Sequence, residues 1–559
     1  CSGYDAAGAG AGIYIDSSML VMRDATVEFN HAVNGGGIAA IYSSLTLERV
    51  TFLGNSARLG DTGGGGGEYI FGATGNGQYL NEVTFDSNQA GYAGGGGLRV
   101  EQSWTVLTNG TFIHNVANSN FYILDPVGGG GMYVVDGGLS LARTLFQDNH
   151  ATGALVVGGQ DIPERFIGHG GGLYVRLSSY EIVGVTFQDN SAALGGGFYN
   201  YVAGEGQVRD VNFINNHAYY LGGGAYGGYI SPHYQKAIFF NNRAPYCGGL
   251  CGWVSIKDSV FAYNHAYDPI PTDENYHGVG GAINGHVNDI FNSSFYANTA
   301  DYSGPDFAAW YSGKLINVTM SSGIDCPNGS NLTIVNSIIH QMGGNCDVTF
   351  MNSLYGEVNV TSITDGGGNL PDVDPLFIDQ EGGNVRLQTG SPAIDSGDTA
   401  QAIYTTDNPI LVDLDGNQRV KGSAVDMGAY EYGAVLLDVS LDGQGWVSSN
   451  PTGIGCEPDC QQAFDYVYPM SYPVTLTATP APGWTFAGWD FAFWDDQADT
   501  TDNPLALTIE NDTTLTATFT QDEYTLEVSV VGSGTVTPEP NQSTYHYDDV
   551  VTLTADLTV

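Results

Sequence analysis

Short runs of alternating apolar and polar residues are separated along this chain by clusters of glycine, and the arrangement repeats. In Leu45-Thr46-Leu47-Glu48-Arg49-Val50-Thr51-Phe52 the apolar side chains fall mostly on every second position, the period of a strand with one buried face. Ahead of such runs stand the glycines: Gly35 to Gly37, Gly63 to Gly67, Gly94 to Gly97, Gly128 to Gly131, Gly170 to Gly172, Gly195 to Gly197, Gly222 to Gly224, Gly248 to Gly249 and Gly280 to Gly281. Behind them comes a Phe-x-x-Asn phrase whose asparagines are Asn55, Asn88, Asn115, Asn149, Asn190, Asn216, Asn242, Asn264 and Asn298. The phenylalanines that open the phrase, Phe52 through Phe295, are 22 to 41 residues apart. A propeller blade keeps a nearly constant length, whereas a solenoid coil accepts insertions at its corners, so the pattern predicts a solenoid.

Coils of such a solenoid stack at about 4.8 Å. Phe then lies on Phe in a continuous core, and Asn on Asn at a turn, where stacked amides hydrogen-bond along the axis. Glycine runs supply the positive φ and the close backbone approach that a bend into the next strand needs. The fold class is therefore all-β: a right-handed parallel β-helix, that hand being the one crossover sterics favour, followed by small β modules. Between about Asp301 and Gly366 the phrase shortens to runs such as Leu332-Thr333-Ile334-Val335-Asn336-Ser337-Ile338-Ile339, expected as tighter coils without glycine corners. The β-helix is assigned to 1–365. Its glycine and Phe-x-x-Asn phrases resemble the repeats of bacterial polymorphic outer-membrane proteins, a resemblance that implies a surface-exposed β-helix.

Residues 366–433 carry a different vocabulary: Asp374-Pro375-Leu376-Phe377, Ser391-Pro392-Ala393-Ile394-Asp395-Ser396-Gly397, Asp413-Leu414-Asp415-Gly416-Asn417-Gln418-Arg419 and Asp426-Met427-Gly428-Ala429-Tyr430-Glu431. The segment resembles the anchor-associated end-caps of bacterial surface β-helix proteins, and a turn-rich cap over the last coil is what an open solenoid end requires. Asp413, Asp415 and Asn417 present alternate oxygens, which suits calcium, while the spacing is too short for an EF-hand loop and the distal Glu is missing. The other reading has them shaping turns and pairing with Arg419. No other cofactor is expected.

Beyond Gly433, Val474-Thr475-Leu476-Thr477-Ala478 returns as Val551-Thr552-Leu553-Thr554-Ala555. With Gly483-Trp484-Thr485-Phe486-Ala487-Gly488-Trp489 between them, these phrases resemble divergent internalin-type B repeats. They predict one module over 434–521 and a second, incomplete one over 522–559, acting as spacers.

Charge narrows the partners. Fifteen Lys+Arg against 60 Asp+Glu give a formal net charge of -45, which repels nucleic acid and anionic membrane alike. No window holds the roughly 20 apolar residues of a membrane helix, so membrane attachment is expected only through an anchor outside the visible chain. Other surface proteins, glycans or further copies of the chain remain as partners. Seven Cys fall into the pairs Cys247/Cys251, Cys326/Cys346 and Cys456/Cys460 plus Cys1, which predicts three disulfides and an oxidising, extracellular location on a bacterial surface.

Candidate chemistry is sparse. Parallel β-helices also house polysaccharide hydrolases and lyases, which need clustered carboxylates, yet no pair stands out among sixty acidic side chains. His31, His150, His217 and His265 follow the ladder asparagine and would share one edge, a slot that elsewhere holds Ser56, Gln89, Val116, Ser191, Arg243 and Thr299. Exposed aromatics, Tyr226, Tyr229 and Tyr234 among them, could stack on sugars. The expectation is a structural or adhesin-like protein, not an enzyme, that meets partners through corner insertions such as Asn118 to Val127 and Val156 to His169.

Overall fold

A computed structural model describes residues 12–57, 64–73, 78–91, 94–119, 127–153, 155–157, 160–162, 168–201, 206–228, 232–269, 278–310, 312–388, 390–405, 408–432, 435–450, 454–456, 460–464, 474–491, 500–507 and 513–557. The chain divides into two compact units: residues 1–414 with 418–432, and 433–559 with 415–417. Both are β throughout the described residues, apart from a 3-10 turn at Thr399–Gln401.

The first unit is a parallel β-helix. Its main sheet system links 30 strands, and each strand pairs in parallel with its counterpart one coil on. Ile38–Ile41 pairs with Glu68–Phe71, which pairs with Leu98–Glu101, then Met132–Val135 and Leu173–Arg176. A second series of short strands, such as Ser56–Ala57 and Gln89–Ala90, carries the chain past the ladder asparagine. The coils continue to Leu370–Pro371, which pairs with Leu354 and Tyr355, a few residues past the expected boundary at 365.

Inside, Phe52, Phe85, Phe112, Phe146, Phe187, Phe213, Phe239, Phe261 and Phe295 form one stack, with ring centroids 4.5 to 5.1 Å apart. The nine asparagines form a second column, all buried. Each Nδ2 donates to the next coil's Oδ1 and to the carbonyl at the Phe position of an earlier coil, Val27 in the case of Asn55, while each Oδ1 also accepts the preceding asparagine's backbone N–H. For Asn190 the partners are Asn149, Phe146 and Asn216. Every buried corner amide thus has its partners, the condition for keeping polar groups inside an apolar rod.

The ladder reaches further than the phrase. At its start Asn30 joins through Asn55, under Val27, which takes the Phe position of its coil. At its far end Asp306, fully buried, replaces asparagine: it accepts from Asn298 Nδ2 and from the backbone of Ser322 and Gly323. An acceptor-only side chain is what the last free donor needs, and burial raises its pKa to about 6.

Positive φ is shared more widely than the glycine runs suggest. Gly65 does need it, since a Cβ there would lie 2.1 Å from the Glu68 carbonyl oxygen. A second column of positive φ, where the strand turns toward the Phe stack, is occupied by Arg49, Glu82, Asn109, Arg143, Asp210, Lys236 and Asp258. Polar side chains tolerate the left-handed region and stay in solvent there. Cys247, φ +56, stands in the glycine column between Gly222 and Gly280, and is bonded to Cys251.

A serine ladder at a second corner begins at Ser259 and Ser293, alongside the asparagines, and continues past Asp306. Ser337 accepts the Val318 N–H, Ser353 accepts that of Ser337, and Asn369 that of Ser353. A buried disulfide, Cys326–Cys346, ties two adjacent strands of this stretch.

Residues 366–432 do not lie where an end-cap is expected. Phe377, Val385, Leu387, Met427, Ala429 and Tyr430 pack on Ala262, Tyr296, Ile338 and Leu354, which flank the inward stack and so face outward. The segment covers the flank of the last coils, while Ile363 in the terminal coil is 46% exposed. Outward positions that are polar upstream, such as Thr84 and Thr111, become apolar here, and covering them is worth about 25 cal/mol per Å².

In the second unit, Val435–Asp442, Cys460–Phe464, Trp484–Phe491 and Thr513–Gln521 form one sheet. Gly445–Asn450, Gly455–Cys456, Val474–Pro480 and Leu505–Leu507 form the other. Leu437, Val439, Val447, Leu476, Trp489, Leu515 and Phe519 share the core of this module. The Thr552–Asp556 strand pairs only with Thr535–Glu539 among the described residues, and Leu553 is 50% exposed where its counterpart Leu476 is buried.

Two expectations follow. Asn190→Ala removes four hydrogen bonds and strands their partners, and should cost about 2–4 kcal/mol in thermal or chemical unfolding, whereas His150→Ala one position on should cost under about 1 kcal/mol. Glu68 occupies the inward column of Ile38 and Leu98, and neither carboxyl oxygen has a partner among the described residues. Burial pushes its pKa from 4.5 to about 8. The folded chain therefore holds a proton that the unfolded chain releases, and stability falls as pH rises from about 4.5 to 8. Glu68→Leu should flatten that slope and add about 2–4 kcal/mol near pH 7.5, read from unfolding curves at several pH values.

Candidate functional site

The registered coils decide which side chains share a face. His31, Ser56, Gln89, Val116, His150, Ser191, His217, Arg243, His265 and Thr299 form one unbroken column of Cα partners. No two histidines are neighbours in it. At a coil rise of about 4.8 Å the nearest pairs are two coils apart, too far to share an ion. They hold the corner instead: His31 pairs with Ser56, His150 with Ser191 at 2.7 Å, His265 with Thr299 at 2.9 Å and His217 with Tyr267 at 3.0 Å.

An outward column carries a tyrosine stack. Tyr133, Tyr174, Tyr199 and Tyr226 lie in register, with centroids 4.8, 5.1 and 5.0 Å apart. Arg99 closes its near end, 5.1 Å from the Tyr133 ring and 5.8 Å from that of Tyr69. His169 meets Tyr174 and Tyr199 edge-on, and burial pushes its pKa down to about 3, so the imidazole is neutral. Of the three tyrosines named from sequence, Tyr226 ends this stack, Tyr234 is fully buried in the inner core, and Tyr229 lies outside the described residues.

Insertions at residues 58–63, 120–126, 154–167 and 270–277 all issue from one corner, between a short ladder-side strand and the next glycine run. Asn118 to Val127 and Val156 to His169 belong to this set. Residues 120–126, 158–159 and 163–167 of these lie outside the described residues; Leu155–Val157 and Gln160–Ile162 pair as an antiparallel hairpin. The Cys456/Cys460 side chains and Cys1 also lie outside the described residues, whereas Cys247–Cys251 and Cys326–Cys346 are bonded.

At the proposed calcium residues, Asp413 turns inward and accepts the Glu431 N–H at 2.9 Å. Beside it Arg419, 2% exposed, meets Glu431 at 3.3 Å and donates to the Gly428 carbonyl. Asp426 accepts the N–H groups of Asp395 and Tyr432. Asp413, Asp426 and Glu431 thus surround one guanidinium, and burial raises Asp426 and Glu431 against its pull. Among the described residues no group of three or more His, Cys, Asp or Glu is placed to hold a metal ion. Asn417 is buried, and Asp415 half-buried.

Arg419→Met should destabilise the β-helix unit by about 3–5 kcal/mol, because buried carboxylates lose their counter-charge. The loss should be smaller at pH 5 than at pH 8, since the carboxyls with raised pKa can take up protons; unfolding at both pH values checks this.

Residues 469–523, within the two-sheet module, match the divergent InlB B-repeat domain family. Comparison with curated proteins returns no match for the chain.

Proposed function

We propose that this protein is a bacterial surface rod: the B-repeat module serves as a spacer, and the β-helix presents insertions from one corner to proteins or glycans outside the cell. The observation that carries this reading is an inner ladder kept in register across coils of varying length, whose longest insertions issue from one corner, which lets the outer surface vary at little cost to the rod. Two disulfides suit an oxidising location, and the B-repeat match supports bacterial surface display. Self-association of the rods is compatible with the same surface.

A second reading, a glycan hydrolase, has one observation in its favour. Asp325 and Glu357 line an open cleft of about 440 Å³ on the coils past Asp306, with Gln341 and Asn359 beside them. Two carboxylates across a polar cleft are what hydrolysis of a neutral glycan requires.

A membrane-impermeant amine-reactive biotin applied to intact producing cells should label the exposed Lys236 and Lys314. Labelling only after lysis would overturn surface display. On a polysaccharide panel the purified chain should release no reducing ends; release abolished by Asp325→Asn would establish the enzyme reading instead.

A further inference from the structure

The outward tyrosine stack ends at Tyr226, and the next two coils put Cys251 and Asn284 in its column. Large stacked rings give way there to small or polar side chains, and a cavity of about 330 Å³ opens on the flank. Its floor is backbone. Gly227, Gly252 and Gly285 are register partners, where upstream coils carry Ile70, Val100, Val134 and Val175. Gly252 has φ +118, and a Cβ on it would meet the Gly227 carbonyl oxygen at 1.8 Å, so this stretch of strand requires glycine.

The walls are aromatic. Trp253 and His286 are register partners with rings stacked 4.1 Å apart at 16°, and Trp253 remains 43% exposed. Trp310, one coil on, faces the same cavity, and its indole N–H has no hydrogen-bond partner among the described residues. Tyr226 closes the opposite side and Asn284 supplies an amide.

In a chain of net charge -45, no Asp, Glu, Lys or Arg among the described residues lines this cavity. Partial burial lowers the pKa of His286 and favours its neutral form. A charged ligand would find no counter-ion here. Planar aromatic faces match the C–H face of a pyranose, while Asn284 can serve hydroxyls. The volume lies at the small end of ligand cavities, about 300–1,000 Å³, which fits one or two sugar rings.

We propose that the cavity between Tyr226, Trp253, His286 and Trp310 is a binding site for a neutral saccharide, with the Trp253–His286 stack as its platform. It lies on the flank of the rod, separate from the corner insertions, and it does not depend on their having a partner.

The test uses the full chain and a set of neutral oligosaccharides of two to six units, including cello-, xylo-, manno-, malto- and chito-oligosaccharides, with oligogalacturonates as the acidic comparison. At least one neutral series should bind, by calorimetry and by a change in tryptophan fluorescence, and the oligogalacturonates should not. Trp253→Ala should weaken binding about tenfold or more, the loss expected for an aromatic platform. Trp446→Ala, an exposed tryptophan of the B-repeat unit, should leave binding unchanged. Should Trp253→Ala fail to fold, Asn284→Asp places a charge in the same cavity and should abolish binding. No neutral saccharide bound at millimolar concentration, equal binding of oligogalacturonates, or unchanged binding by a folded Trp253→Ala would each overturn the proposal. Loss of surface labelling on intact cells would leave this result untouched, so the two readings fail separately.

Discussion

Each coil of this β-helix turns a tight corner inside an apolar rod, and the backbone N–H at that corner has to be satisfied without water. Asparagine does this with one amide that both accepts and donates along the axis. A single chain of such bonds runs from Asn30 through Asn298 to Asp306. It fixes the register of neighbouring coils, and the register in turn places Phe on Phe at 4.5 to 5.1 Å and sets every outward column. A second corner is satisfied by serine, and past the end of the asparagine ladder a disulfide ties Cys326 to Cys346, so different residues meet the same requirement.

Because inward columns are committed to stacking, variation is left to the outward ones. Outward threonines such as Thr51, Thr84 and Thr111 share their column with Ile338 and Leu354, and only the latter are covered by the segment that carries Phe377 and Met427. The tyrosine stack is another outward column filled with apolar surface. At Ile338 and Leu354 the outward column is apolar where chain lies against it, although Ile238 in the same column is 42% exposed.

The inner frame was legible in the sequence for the same reason that it is strong. A residue that must stack on its own kind recurs at one place in every repeat, so the Phe and Asn columns could be read one by one. Asn30 stands outside the Phe-x-x-Asn phrase because Val27 takes the Phe position of its coil, and Asp306 lies outside the phrase altogether. The serine ladder carries no spacing that distinguishes it from turn serines. Glu68 lies directly after a glycine run, where nothing local tells an inward position from an outward one. The position of residues 366–432 was misread since a cap over the last coil and a cover on its flank use the same turn-rich vocabulary. The difference is in the partner, the outward Ile338 and Leu354.

The two Val-Thr-Leu-Thr-Ala phrases show the limit of local pattern most directly. Their alternation is identical, and both form strands. Leu476 is nevertheless buried, while Leu553 is half exposed, because Val474–Pro480 lies between two strands of a sheet that packs on a second sheet, and Thr552–Asp556 has one hairpin partner. Alternation specifies which side of a strand can be buried. Whether it is buried depends on another surface, set by residues far along the chain, and the same holds for the flank of the rod: Tyr174 and Tyr226 occupy one column, yet the first is closed over and the second opens onto the aromatic cavity.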